Sequence, residues 1–234
     1  MTLNNEIDNW TKFDNSFSIE DSQIYKTKSF KIDYLQEKGL TSTQLNNLKN
    51  EWIRILPKLD NVEFAYFGGK ITQRYFESIC SMRNLRGLWI KWTQLNDFSI
   101  IRNLKSLNYL ILGGSNSITS LHGLENLTNL KTLELSKFFG LKNLAELTGL
   151  TKMERLELYG SLDGKRLQIE DIGAISNLGN LKRLALDIKS KGVDINPIFR
   201  LNKLETIILS YLSATFSVNF AVSFFSRNHS FAKS

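Results

Sequence analysis

Glu134 and Glu157 stand 23 residues apart at matching places in two similar stretches, Thr132-Leu-Glu-Leu135 and Arg155-Leu-Glu-Leu158. Paired carboxylates are the equipment of glycoside hydrolysis, where one acts as acid and the other as base or nucleophile. If both sit on neighbouring strands of an open sheet, they are expected to be solvated, without the concave, perturbed setting that catalysis needs. The other reactive side chains are sparser still. Cys80 is the sole cysteine and has no histidine near it in sequence, so it reads as a small buried hydrophobe. His122 and His229 are 107 residues apart, which leaves a histidine-based metal or catalytic centre without a second ligand. Gly68-Gly-Lys70 is followed by Ile71, and Phe64 stands where a phosphate-binding loop needs glycine. No catalytic residue, metal ligand or cofactor is assigned, and the chain is expected not to be an enzyme.

What positions these residues is a repeat. Of 36 leucines, 25 fall between Leu85 and Leu186. The pattern L-x-x-L-x-L, with conservative replacements, is read seven times: Leu59/Val62/Phe64, Leu85/Leu88/Ile90, Leu107/Leu110/Leu112, Leu130/Leu133/Leu135, Met153/Leu156/Leu158, Leu181/Leu184/Leu186 and Leu204/Ile207/Leu209. The steps between starts are 26, 22, 23, 23, 28 and 23. Alternation within L-x-L puts two side chains on one face of a short strand. A second apolar series then runs in steps of three, as in Ile118, Leu121, Leu124, Leu127 and Leu130, which suits 3₁₀ turns better than a long α-helix. One such coil cannot bury its own leucines, so coils must stack. Seven parallel strands at about 4.8 Å spacing make an arc roughly 30 Å long.

The segment Ser120-Leu-His-Gly-Leu-Glu-Asn-Leu-Thr-Asn-Leu-Lys-Thr-Leu-Glu-Leu135 resembles a leucine-rich repeat. More narrowly, it is similar to the 22-residue bacterial subclass of the internalins, shared with the leucine-rich regulator of protein phosphatase 1. The resemblance covers about two-thirds of the chain, from Leu59 to near Leu212. It implies an α/β solenoid, with a curved parallel sheet on the concave side and 3₁₀ or short helical returns on the convex side. It also implies a protein-binding role, although this scaffold serves many partners. The family places an asparagine just after each strand to bond backbone from coil to coil. Asn116 fits that place, Thr93 and Ser161 fit it in part, and Phe139 does not. In the two longest repeats, Gly68-Gly69 and the stretch from Gly160 to Gly164 are read as bulged loops on the rim. Tyr75, Phe76, Ile79 and Met82 give the first repeat a helix.

An open stack exposes core at both ends and needs caps. Residues 1–58 are read as an α+β N-terminal cap, with a strand at Phe30, Ile32 and Tyr34. Its helix carries Leu45, Leu48, Trp52 and Ile55 after the N-cap hydroxyls of Thr41-Ser-Thr43. Residues 59–212 are the repeats. Residues 213–234 alternate Phe216, Val218, Phe220, Val222 and Phe224 with small polar residues, as a strand would. Two readings of that end stand side by side: a native edge strand that invites self-association, or an altered end that has lost later repeats. The first residues lack the cations and apolar run of a secretory signal, and no segment reaches the length of a membrane span. The expectation is therefore a soluble, cytoplasmic bacterial protein with no membrane partner.

The x positions of the strands should line the concave face. They give Glu63 and Ala65, Trp89 and Lys91, Tyr109 and Ile111, Glu134, Arg155, Glu157 and Tyr159, then Arg183 and Asp187, with Tyr66 and Trp92 just beyond the strands. Tryptophan, tyrosine and arginine carry binding energy more often than other side chains. The net charge of +7 is also patterned. Arg83, Arg86, Lys105, Lys131, Lys152, Lys182 and Lys203, with Lys58, recur just before or after the first motif leucine. Only Asp60, Glu154 and Glu205 oppose them there, so most of the surplus falls on one rim. This points to an unidentified, acidic protein as partner. A nucleic acid is the alternative partner for the basic rim. It is the weaker one, because Glu63, Glu134, Glu157 and Asp187 on the face would repel phosphates.

Overall fold

The computed structural model describes residues 22–33, 39–189, 192–211 and 214–219. Nine strands form one sheet in chain order. They are β1 (Ser29–Ile32), β2 (Phe64–Thr72), β3 (Gly87–Gln94), β4 (Tyr109–Gly113), β5 (Thr132–Ser136), β6 (Arg155–Tyr159), β7 (Arg183–Leu186), β8 (Thr206–Tyr211) and β9 (Ala214–Asn219). The first eight are parallel, one more than the repeat motif predicts, because the strand ahead of the repeats joins the sheet beside β2. β9 turns back and pairs antiparallel with β8. Residues 1–21, 34–38, 190–191, 212–213 and 220–234 lie outside the described residues, and with them the predicted aromatic start and the Phe220-to-Phe224 part of the predicted C-terminal strand, whose first part falls in β9.

Five coils return through a 3₁₀ turn, at Ser99–Asn103, Leu124–Asn126, Ala145–Leu147, Gly173–Asn177 and Asn196–Arg200. The steps of three place Leu121, Leu124, Leu127 and Leu130 on the inner side, all buried. Strand leucines meet them from the other side. Leu88, Leu110, Leu133, Leu156 and Leu184 form one buried row in register across five coils.

The N-terminal end is closed by α1 (Ser42–Ile55). Thr41 caps it: its hydroxyl accepts from Gln44 N–H while the Gln44 side chain accepts from Thr41 N–H. The helix presents Trp52, which stacks on Phe30 of β1 at 6.1 Å; Phe30 in turn stands edge-on to Phe67 of β2 at 5.7 Å. The first repeat carries α2 (Gln73–Ile79), whose Tyr75, Phe76 and Ile79 are buried as the spacing predicts.

Two sequence expectations need correction. Phe64 pairs with Gly87, Ala65 with Leu88 and Phe67 with Ile90. The first repeat therefore starts at Val62 rather than Leu59, and Ala65 and Phe67 point into the core while Phe64 and Tyr66 point out. The return series steps by three, so Leu59 and Val62 imitate the start of a motif one step early. From Val62 to Leu85 is then 23 residues, the ordinary period. Gly68-Gly69 is not a rim loop but a bulge within β2, where the register with β3 shifts between Phe67 and Lys70.

The coil-to-coil polar bonds also differ from expectation. Asn116 is exposed, and its neighbour Ser115 does the bonding: Ser115 Oγ accepts from Leu95 N–H and donates to Leu95 C=O, both at 3.1 Å. Thr93 Oγ1 donates toward the carbonyls of Gly113 and Gly114, as its partial fit suggests. Ser161 instead bonds Asp163 within its own turn. An unforeseen asparagine series lies at the opposite end of the strands, one residue before the first motif position. Asn84 donates to Asp60 C=O at 2.7 Å, Asn129 to Lys105 C=O at 3.1 Å and Asn180 to Thr151 C=O at 2.8 Å; Asn61 does the same to Thr27. These side chains saturate carbonyls that the turns leave unpaired.

Neighbouring coils approach closely at Gly113, where an added Cβ would lie 2.0 Å from the Lys91 carbonyl oxygen. Gly113→Ala is expected to cost about 3 kcal/mol, since backbone rather than a mobile side chain must yield. Gly149→Ala, with nothing within 4 Å of the new methyl, should change stability by less than about 0.5 kcal/mol. Urea unfolding of the two variants beside the parent chain checks both.

Candidate functional site

The outward residues of the sheet fall into two halves. Over β2 to β4, Phe64, Trp89 and Ile111 are half-buried and pack on Tyr109, itself 7% exposed. Tyr66 meets Trp89 edge-on, with ring centroids 4.8 Å apart. The register explains the cluster: Tyr66, Trp89 and Ile111 are direct neighbours in one row, and Phe64, Gly87 and Tyr109 in the next. Gly87 has no side chain, so Tyr109 and Phe64 close over it. Sequence reasoning missed Phe64 by assigning it to the core. The alternation of Phe64 and Tyr66 around Ala65 was the signal. Lys91 is exposed as expected. Trp92 lies within β3 rather than beyond it and stays 44% exposed, with Lys137 Nζ 4.9 Å from its ring centre.

Over β5 to β7 the face is polar and locked. Glu157, expected to be solvated, is 1% exposed. Its carboxylate accepts from Arg155 Nη2 at 2.8 Å, from Tyr159 Oη at 3.0 Å and from Arg183 Nε. The two arginines lie side by side in register, so they clamp the acid from adjacent strands. Burial opposes the charge on Glu157, but the bonds from Arg155 and Arg183 outweigh it and hold its carboxyl below the usual range. Glu134 is the direct neighbour of Glu157 on β5. Burial first, and then the Glu157 charge, raise its carboxyl above the usual range. Burial and the same charge push the Tyr159 phenol up. Asp187, past the end of β7, accepts from Gly160 N–H at 3.1 Å and pairs with Arg166 at 3.3 Å. The geometry therefore engages Glu157 with cations, rather than presenting two carboxylates across a substrate-sized gap.

The other candidate reactive groups stay apart. Cys80 is buried, and burial followed by the Glu77 charge pushes its thiol well above the usual range. His122 sits on an exposed return, Nδ1 3.1 Å from Glu125.

The predicted basic rim lies along the edge where strands begin, but it is partly neutralised from within. Glu63 pairs with Lys28 at 2.7 Å and with Arg86 at 3.3 Å, and Glu154 pairs with Lys182 at 2.6 Å. Lys152 and Lys203 donate to the Oδ1 atoms of Asn129 and Asn180, extending the asparagine series. Arg83, Lys105 and Lys131 make no ion pair among the described residues. No helix among the described residues is long and apolar enough to cross a membrane.

Stacked parallel coils, a concave sheet and 3₁₀ returns define a leucine-rich-repeat solenoid. Within that class the chain's fold is similar to that of bacterial leucine-rich-repeat proteins, the internalins among them. It is similar to an internalin of Listeria monocytogenes, with a TM-score of 0.53 and 23% identity, over 66% of this chain and 43% of that one. It is also similar to internalin C2 of the same species, with a TM-score of 0.52 and 25% identity, over 69% of this chain and 64% of that one. A leucine-rich-repeat protein of Leptospira interrogans gives 0.52 and 21%, over 81% and 45%. The chain thus spans less than two-thirds of the length of each. No family model matches the sequence, and no curated protein does.

Glu134 gives the site a pH signature. Its folded-state carboxyl is raised, so the ionised form destabilises the fold at neutral pH, and the penalty disappears as pH falls below the ordinary carboxylate range near 4. Glu134→Gln should raise the urea midpoint at pH 7 and leave it unchanged at pH 3. Glu157→Gln should do the opposite at pH 7, because it removes the charge that Arg155 and Arg183 surround.

Proposed function

We propose that the protein is a non-catalytic interaction module that holds a partner protein on its concave face. The observation that carries this is the aromatic patch of Phe64, Tyr66, Trp89 and Ile111, which remains half-open on a rigid curved sheet. Large outward apolar side chains grouped on one face mark an interaction site. The anchors are Trp89, seated on Tyr109, and Tyr66, edge-on to Trp89, with Lys91 and Trp92 beside them. The polar half supplies oriented donors: Arg155 and Arg183, aligned by Glu157, with Tyr159, Glu134 and Asp187 around them. Its fixed geometry lowers the ordering cost of binding. The leading-edge cations Arg83, Arg86, Lys105, Lys131, Lys152, Lys182 and Lys203 add a modest attraction for an acidic partner, since Glu63, Glu154 and the asparagines already engage several. That neutralisation favours a protein over a nucleic acid.

Pull-down from the native host, with mass spectrometry, should recover a protein that Trp89→Ala no longer retains. Once that protein is purified, the variant should bind it about 30-fold more weakly or worse. Unchanged affinity in a variant with parental urea stability would remove the concave patch from the interface.

A further inference from the structure

The edge where the strands end differs from the edge where they begin. It carries two of the five large hydrophobic side chains that are exposed among the described residues, Trp92 and Leu162. Leu162 is fully exposed at the tip of the turn made by the five extra residues of the longest repeat. That turn is closed from within: Ser161 N–H donates to Lys165 C=O at 2.8 Å, Gly164 N–H to Ser161 C=O at 3.0 Å, and Asp163 accepts from Ser161 Oγ and Lys165 N–H. Leucine is therefore displayed on a built support. Cations stand beside it, over aromatic rings rather than carboxylates: Lys137 Nζ lies 4.9 Å from the Trp92 centroid and Lys165 Nζ 4.1 Å from that of Phe139. Lys70, Lys91, Lys137 and Lys165 make no ion pair among the described residues. The edge's acids are Asp33, which stands against Gly68, and Asp97, Asp163 and Asp187, which are tied into its own turns; Asp163 also feels the charge of Lys137.

Lys137 is the informative residue. It holds φ +62°, the sole non-glycine residue in the left-handed region among those described. The preceding coil puts Gly114, φ +59°, at the same place; Gly114 N–H and Lys137 N–H each donate to the next coil's carbonyl, at 2.7 and 2.8 Å. Glycine is the residue that this backbone favours. Lysine accepts strain there, and its ammonium reaches past the side-chain-free Gly114 to Trp92. A strained residue retained against a local preference points to a function for the side chain.

We propose that this edge is a docking surface for an anionic membrane, with Trp92 and Leu162 entering the interface and Lys70, Lys91, Lys137 and Lys165 meeting the headgroups. The protruding leucine supports a bilayer over a protein: fully exposed, it suits a yielding apolar phase rather than a matched pocket. Tryptophan favours the headgroup level and lysines are attracted to anionic lipid. The lack of a spanning helix bears on crossing a bilayer and not on lying against one. Such a surface goes beyond the sequence expectation, which names no membrane partner.

The test is co-sedimentation of the full chain with vesicles of phosphatidylcholine, alone or with about one-third phosphatidylglycerol. Binding is expected to the anionic vesicles alone, falling as salt rises. Leu162→Asp should abolish it without moving the urea midpoint. Lys137→Gly should raise the urea midpoint, by relieving the left-handed strain, and yet weaken binding about fivefold, the share of one lysine at an anionic surface. No sedimentation with anionic vesicles, or binding indifferent to Leu162→Asp, overturns the proposal. So does an acidic protein captured by this edge while vesicles remain unbound.

Discussion

Lateral burial between consecutive coils governs everything else in this molecule. A coil of about 23 residues has a strand on one side and a 3₁₀ return on the other, with one layer of leucines between them. Its inner side chains are shielded from water above and below only by the coils on either side. Stability is therefore nearly a sum of neighbour terms, with no central core to compensate for one bad interface. Any departure in backbone height must be absorbed where it arises. The bulge at Gly68-Gly69, the glycine at Gly113 and the turn at Gly160 to Gly164 each do this locally, and the strands between them keep register.

Polar bonding follows the same geometry at both ends of the strands. Asn61, Asn84, Asn129 and Asn180 bond carbonyls of the preceding coil on one side. On the other side, in the early coils, Thr93 bonds carbonyls of the following coil and Ser115 a carbonyl of the preceding one. Each bond is worth about 1 kcal/mol net, and more if its loss leaves a buried carbonyl unpaired. Together they fix how far one coil can slide over the next. The concave side inherits that precision, since Arg155 and Arg183 reach Glu157 only if β6 and β7 hold register.

The architecture was legible in the sequence because the leucine period is a direct image of the stacking. Three features were not. The start of the first repeat was misplaced because Ala65 is too small to read as a core leucine, while Leu59 imitates one from the return series. The asparagine series was overlooked because it precedes the motif instead of following it, although Asn-Leu at 84, 129 and 180 was visible. The burial of Glu157 was invisible in principle, since it arises from Arg155 two residues away and Arg183 on the next strand. The aromatic patch was half-legible: Trp89, Tyr109 and Ile111 were placed on the open face, and Phe64 was placed inside it.

The longest repeat shows how much freedom this architecture leaves. Its additional residues depart after β6 and rejoin before the next return, while Leu167 and Ile169 go straight back into the core. Arg155 still faces Arg183, and Leu156 still faces Leu184, as if nothing had been added. The strand-ending edge is thus a natural insertion point, where sequence can be lengthened or exchanged without a penalty elsewhere. A foreign loop grafted between Gly160 and Lys165 would inherit a rigid mount, which makes this solenoid a host for new surfaces.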